Sequence, residues 1–228
     1  MTIFGVPIDN LSRVAILDRI EYWLLEGGFH RIATVNPEFL LLAHSHPKFR
    51  QSLQSADLRI ADGVGINFPF WLAGEKLMAR FPGADLLREI LKLAEDKQYL
   101  VALALYEQGL SDPEQIKTVL LEQYPKLKTE MLSLRDPQSS QATILLCNYG
   151  APLQELYLET FRARNTNFRL VMGVGGAFDF ITGAVPRAPK WLRSLGLEWL
   201  WRLFQQPSRF KRIWNAVVVF PVKVLSQK

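Results

Sequence analysis

Asp62 stands where an apolar segment, ADLRIA, runs out into a glycine-flexed turn, Asp62-Gly63-Val64-Gly65. A carboxylate held at the end of a strand can accept a proton from an attacking hydroxyl. The same Asp-Gly pair is also the composition of an ordinary turn. A second polar strand end, Thr34-Val35-Asn36-Pro37, comes one unit earlier. Arg80, Gly83 and Asp85 follow in ARFPGADLL. There Gly83-Ala84 lets backbone approach a ligand, and Arg80 suits either a phosphate or a plain surface position. Gln154 and Glu155 fall in the first turn of a helix opened by GAPLQE, an end that attracts phosphates and hydroxyls. MGVGGAFDF (172–180) is another glycine-rich strand end. It is not GxGxxG, and tight packing explains its glycines equally well.

Other chemistries have little support. The three histidines (His30, His44, His46) lack zinc spacing, and no DxD pair offers itself to a nucleotide-bound cation. No GxSxG or Cys–His arrangement marks a covalent nucleophile. The single cysteine, Cys147, lies in the apolar run ILLC and reads as a buried structural thiol in a reducing compartment.

These residues need a scaffold that gathers strand ends. Asp9-Asn10 can cap a helix over LSRVAILDRIEYWLLE, stopped by Gly27-Gly28. RIATV, ADLRIADG, YLVALAL, TEMLSL, ATILLC and FRLVMGV read as strands. Helices are expected over FLLLAHS, FRQSLQS, GADLLREILKLAEDK, PEQIKTVLLEQY and PLQELYLETFRAR. Near-continuous apolar strands between amphipathic helices predict a doubly covered, mostly parallel sheet. Ligands of such sheets bind beyond the carboxyl ends of the strands, where the polar residues above would stand.

The charge is unevenly spread. The chain has 228 residues and a formal net charge of +5, yet from Arg187 onward nine Lys or Arg face one acid, Glu198. Four of the six tryptophans (Trp191, Trp199, Trp201, Trp214) lie in the same stretch. In SRFKRIWNAVVVF the apolar positions Phe210, Ile213, Trp214, Val217 and Val218 predict an amphipathic helix, with Pro207 at its first position. A basic, aromatic tail suits a lipid headgroup interface. It equally suits a solvated helix packed on the body, or a nucleic-acid patch. The N-terminus lacks a basic segment followed by an apolar run, so no signal peptide is evident. No apolar stretch reaches the roughly 18 to 20 residues that span a bilayer.

The segments TVNPEFLLLA, ADLRIADGVGI, RFPGADL, GAPLQE and above all GVGGAFDFITGAVPRAPKWLRSLGLEWLWRL resemble, in this order, the WecG/TagA/CpsF glycosyltransferases of glycosyltransferase family 26. The resemblance runs from about Gly5 to Arg212. It implies an α/β fold: a Rossmann-like, mostly parallel sheet with flanking helices over 1–183, and a C-terminal helical appendage over 184–228. It implies inverting transfer of an N-acetylmannosamine-like or related hexose from a UDP-sugar, with no cofactor and no metal. The acceptor would be an undecaprenyl-diphosphate-linked sugar of a cell-surface polysaccharide, teichoic acid or exopolysaccharide. The setting would be cytoplasmic, peripheral on the inner face of a bacterial membrane. By the family pattern Asp62 is the catalytic base. Thr34, Asn36, Arg80 and Gln154, with Arg202, Arg209 and Arg212 from the tail, bind substrate in that pattern, and Asp85 in RFPGADL is expected to bind with them. Partners would be the anionic membrane surface and, with the apolar appendage buried between copies, a homo-oligomer, but no nucleic acid. The chain departs from the family pattern at LALYEQG, where a glycine pair is usual, and at Leu153, where Lys is frequent. These departures raise one alternative: a catalytically altered or inactive peripheral membrane module of the same fold.

Overall fold

A computed structural model of the protein describes residues 1–132, 140–164 and 167–226. It opens with an antiparallel hairpin of β1 (Thr2–Ile3) and β2 (Val6–Pro7). Its Phe4-Gly5 turn lacks the Asn-Gly or Asp-Gly signal that makes hairpins legible. Helix α1 (Arg13–Glu26) is capped by Ser12, whose Oγ accepts from Ala15 N at 3.1 Å. Asp9 and Asn10 are not the cap, because both are engaged elsewhere. Asp9 pairs with Arg59 at 2.9 Å, and Asn10 bonds the backbone of Lys76 and Met78.

Strand β3 (His30–Val35) leads to α2 (Pro37–Ser45) and α3 (Pro47–Gln54). Then come β4 (Leu58–Ala61), the short α4 (Asn67–Leu72) and α5 (Gly83–Lys97). β5 (Leu100–Ala104), α6 (Pro113–Gln123) and β6 (Lys128–Met131) follow. The strand expected over TEMLSL ends at Met131, and its Ser133 and Leu134 lie outside the described residues. β7 (Ile144–Cys147), α7 (Leu153–Glu159), β8 (Leu170–Gly173) and α8 (Phe178–Ile181) complete the body. The helix expected to reach Arg164 stops at Glu159. Beyond it the backbone tightens to three-residue bonds, such as Arg162 N to Glu159 O, and Arg162 turns to pair with Asp57 at 2.7 Å.

Strands β3 to β8 form one parallel sheet in the order β4-β3-β8-β7-β5-β6. Alternate residues face opposite layers, as a strand's period of two requires. Ile32, Val101, Leu146 and Met172 pack under α1, α5, α6 and α8. Ala33 and Val35 pack on the other face under α2, α3 and the hairpin, and Leu145, Cys147 and Val171 pack there under α7. Adjacent strands β3 and β8 therefore send their following helices to opposite faces, which opens a crevice at their carboxyl ends.

The tail consists of α9 (Lys190–Ser194), α10 (Glu198–Gln205), a 3₁₀ turn (Pro207–Arg209), α11 (Phe210–Trp214), a π turn (Asn215–Val219) and α12 (Phe220–Leu225). The helical run continues past Phe220, the last residue of the segment read as an amphipathic helix. Pro221 has no N–H, and its ring would meet the Val217 carbonyl in a straight ladder. The widened turn ahead of it absorbs that misfit. Phe220 is fully buried among residues of the hairpin, α2, α3 and α4, edge-on to Phe4 at 5.8 Å. It pins the tail into the core of the body. Phe220→Ala should lower the free energy of unfolding by about 3–5 kcal/mol, read as a reduced urea midpoint.

Candidate active site

Two cavities meet at the carboxyl edge of the sheet. The first, of about 560 Å³, lies over Thr34, Asn36 and the glycine-rich turns after β7 (Gly150–Ala151) and β8 (Gly173–Ala177). The second, of about 310 Å³, lies beneath the tail, with Val64, Trp199, Ile213, Val217 and Pro221 among its apolar walls. Asp62, Arg202, Arg209 and Arg212 line both. The aspartate thus sits at the junction of the two cavities, opposite guanidinium groups supplied from the last fifth of the chain.

Asp62 is placed by the pairing of β4 with β3 and by its own N–H, which donates to Val35 O at 2.8 Å. Its Oδ2 accepts from Gly83 N at 3.3 Å. Desolvation pushes its carboxyl up to about 6, and Glu198 adds to the rise. The Gly83 N–H, Arg202 and Arg80 pull the other way. Such a group is ionised at neutral pH yet more basic than an ordinary carboxylate, which suits proton abstraction. If Asp62 accepts the proton, kcat/KM should fall about tenfold per pH unit below pH 6, with a bend near the raised pKa. A profile flat down to pH 5 would exclude the role.

The tail arginines are held in different ways. Arg202 stacks over the Phe180 ring, 4.4 Å from its centroid, and its Nε is buried with no partner among the described residues. Burial lowers its pKa, against the opposing pull of Glu198 and Asp62. Burial likewise lowers that of Arg209, assisted by the like charges of Arg202 and Arg212. Three clustered guanidinium groups, two of them short of water, form a site that an anion would relieve. Arg212 is more exposed and donates through Nε and Nη2 to Glu38 Oε2, at 2.8 and 2.6 Å.

The other sequence-selected residues have varied placements. Thr34 lies under Gly83 on the floor of the first cavity. Asn36 lines both cavities, but its Oδ1 caps α2 by accepting from Phe39 N at 3.0 Å, which leaves its Nδ2 for a ligand. Arg80 lines the second cavity while donating to Arg193 O at 3.1 Å. Asp85 lines neither cavity and holds Arg187 of the tail at 2.6 Å. Gln154 lines the first cavity though almost fully buried. Glu155 behind it is pushed up to about 7 by burial, against its bond from Gln154 and the charge of Arg31.

Glu38, Phe180, Arg187 and Glu198 were not singled out from the sequence. Glu38 had one available signal, a carboxylate in the first turn of a helix opening at the polar strand end Asn36-Pro37. The others act through contacts between tail and body that no local pattern reveals.

A sequence profile described as the glycosyl transferase WecG/TagA/CpsF family matches residues 1–228. The chain belongs to this family. One curated relative is the N-acetylglucosaminyldiphosphoundecaprenol N-acetyl-beta-D-mannosaminyltransferase of Bacillus subtilis (strain 168). It is 26% identical over 223 residues, covering 93% of this chain and 86% of the relative. In this WecG/TagA/CpsF glycosyltransferase, no helix among the described residues is long and apolar enough to cross a membrane. The tail nevertheless exposes Trp191, Leu195, Phe204, Phe210, Trp214 and Val222 to solvent.

Proposed function

We propose that the protein transfers N-acetylmannosamine or a related hexose from a UDP-sugar to an undecaprenyl-diphosphate-linked sugar, with inversion and without a divalent cation, at an anionic membrane surface. The observation that carries this reading is Asp62 at the junction of two cavities walled by shared arginines. The larger, glycine-floored cavity takes the nucleotide sugar. The smaller, apolar-walled cavity takes the sugar-proximal end of the lipid acceptor. The acceptor hydroxyl attacks the anomeric carbon as the bond to the UDP β-phosphate oxygen breaks. Its proton passes to the Asp62 carboxylate, and the leaving diphosphate carries its new charge to Arg202, Arg209 and Arg212. The B. subtilis relative's name supports the choice of sugars. The exposed aromatic and basic groups of the tail support a headgroup interface.

A panel of UDP-sugars, assayed against a lipid-diphosphate-linked sugar with wild type and Asp62→Asn, tests the reading. An EDTA arm tests the cation claim, with undiminished turnover expected. Turnover that EDTA abolishes and Mg²⁺ restores would refute cation independence. No turnover with any donor, alongside intact liposome binding, would point instead to a non-enzymatic peripheral module.

A further inference from the structure

Gln154 lies in the first turn of α7 beneath the first cavity, with 2% of its surface exposed. Its Oε1 accepts from two backbone amides, Gly150 N and Gly175 N, both at 3.0 Å. These amides belong to the two glycine-rich turns that floor the cavity, one after β7 and one after β8. Its Nε2 donates to Glu155 Oε1 at 2.7 Å. Gly173 makes room for the pair. A Cβ there would lie 2.5 Å from Gln154 Nε2 and 2.9 Å from Glu155 Oε1. Glu155 is itself fixed from behind, since its backbone carbonyl accepts from Ser52 Oγ at 3.1 Å.

An amide side chain can present either its oxygen or its NH₂ to a given neighbour. Two N–H groups aimed at one point require the oxygen. The acceptor Glu155 Oε1 on the opposite side requires the NH₂. We infer that Gln154 acts as a positioning residue, its amide oriented by Glu155 so that one oxygen ties the two glycine turns into the shape that receives the donor. The inference rests on reading that cavity as the donor site. It places the contribution of Gln154 in the turns rather than in a direct contact with substrate.

A charge-swap cycle tests it. In Gln154→Glu the new carboxylate still accepts from Gly150 and Gly175 but, once both carboxyls are ionised, meets Glu155 acceptor to acceptor. Affinities are therefore compared at pH 9, where the raised Glu155 carboxyl has released the proton that would bridge the pair. UDP affinity by calorimetry, and kcat/KM for the donor, should fall roughly tenfold to a hundredfold. Glu155→Gln keeps an acceptor and should lose less. The double variant Gln154→Glu/Glu155→Gln restores a donor–acceptor pair with its polarity reversed, and should recover most of the loss relative to Gln154→Glu. The double variant restores the total charge of wild type as well as the hydrogen bond, so the coupling across the cycle measures the 154–155 pair rather than either residue by itself. Melting temperatures separate loop geometry from general destabilisation, and the loss should fall on UDP affinity and donor KM more than on kcat. Wild type that binds UDP, with Gln154→Glu binding equally well or the double variant no better than Gln154→Glu, overturns the inference. Wild type that binds no UDP overturns the donor-cavity reading and the inference with it.

Discussion

Replacing Asp62 by Asn should cost about 10²–10⁴ in turnover, the range for losing a general base, while leaving the folded protein as stable as wild type or more so. The two halves of this prediction share one cause. Desolvation raises the carboxyl to about 6 in the folded state, from 3.8 when unperturbed. The folded protein therefore holds a proton over a pH range where the unfolded chain has released it. Stability from this group falls as pH rises from about 4 to 6, and above that the ionised carboxylate remains a constant cost. Asparagine cannot ionise and keeps an oxygen to accept the Gly83 N–H. The stabilisation is at most about 3 kcal/mol, and less in practice because Asp62 lines two open cavities rather than a closed core. Turnover and thermal unfolding at pH 7.5 check both halves. A merely structural aspartate would give the opposite pair, with lowered stability and proportionate or negligible loss of rate.

The sheet was legible in the sequence because strands buried on both faces must be apolar throughout, and those segments lie between helices of clear 3.6-residue period. α5 shows this best, since GADLLREILKLAEDK gave both of its ends. The hairpin was missed because Phe4-Gly5 carries little turn signal. That the helical run carries on through Pro221 rests on the π turn before it, which the apolar spacing of SRFKRIWNAVVVF does not reveal. The site divides the same way. A polar residue closing an apolar strand is a local pattern, so Thr34, Asn36 and Asp62 could be named without a fold. That Arg212 faces Glu38, or that Asp85 spends its charge on Arg187, depends on docking the tail against α2 and α5, which only the three-dimensional packing determines. Gln154 lies between these cases. Its place at a helix start was readable, whereas the direction of its amide was not.

The second large effect should come from the tail arginines. Arg202→Ala and Arg209→Ala are each expected to lower kcat by roughly 10²–10³, as when one donor to a developing oxyanion is removed. Arg202→Lys should recover little, because an ammonium lacks the planar, multi-donor group that Arg202 holds over the Phe180 ring. The combined variant should fall well short of the product of the single losses, since the groups act on one diphosphate. Arg212 should behave differently. Its loss also frees the Glu38 carboxylate to repel the incoming diphosphate, so Arg212→Ala/Glu38→Gln should be more active than Arg212→Ala alone. Cutting the chain after Gly183 could not separate these effects. It removes all three arginines together with Phe220, whose burial holds the tail to the body. Point variants that keep the melting temperature while losing kcat would locate the loss in charge. An Arg202→Ala enzyme turning over at the wild-type rate would mean that the leaving group draws its stabilisation from elsewhere in the cleft.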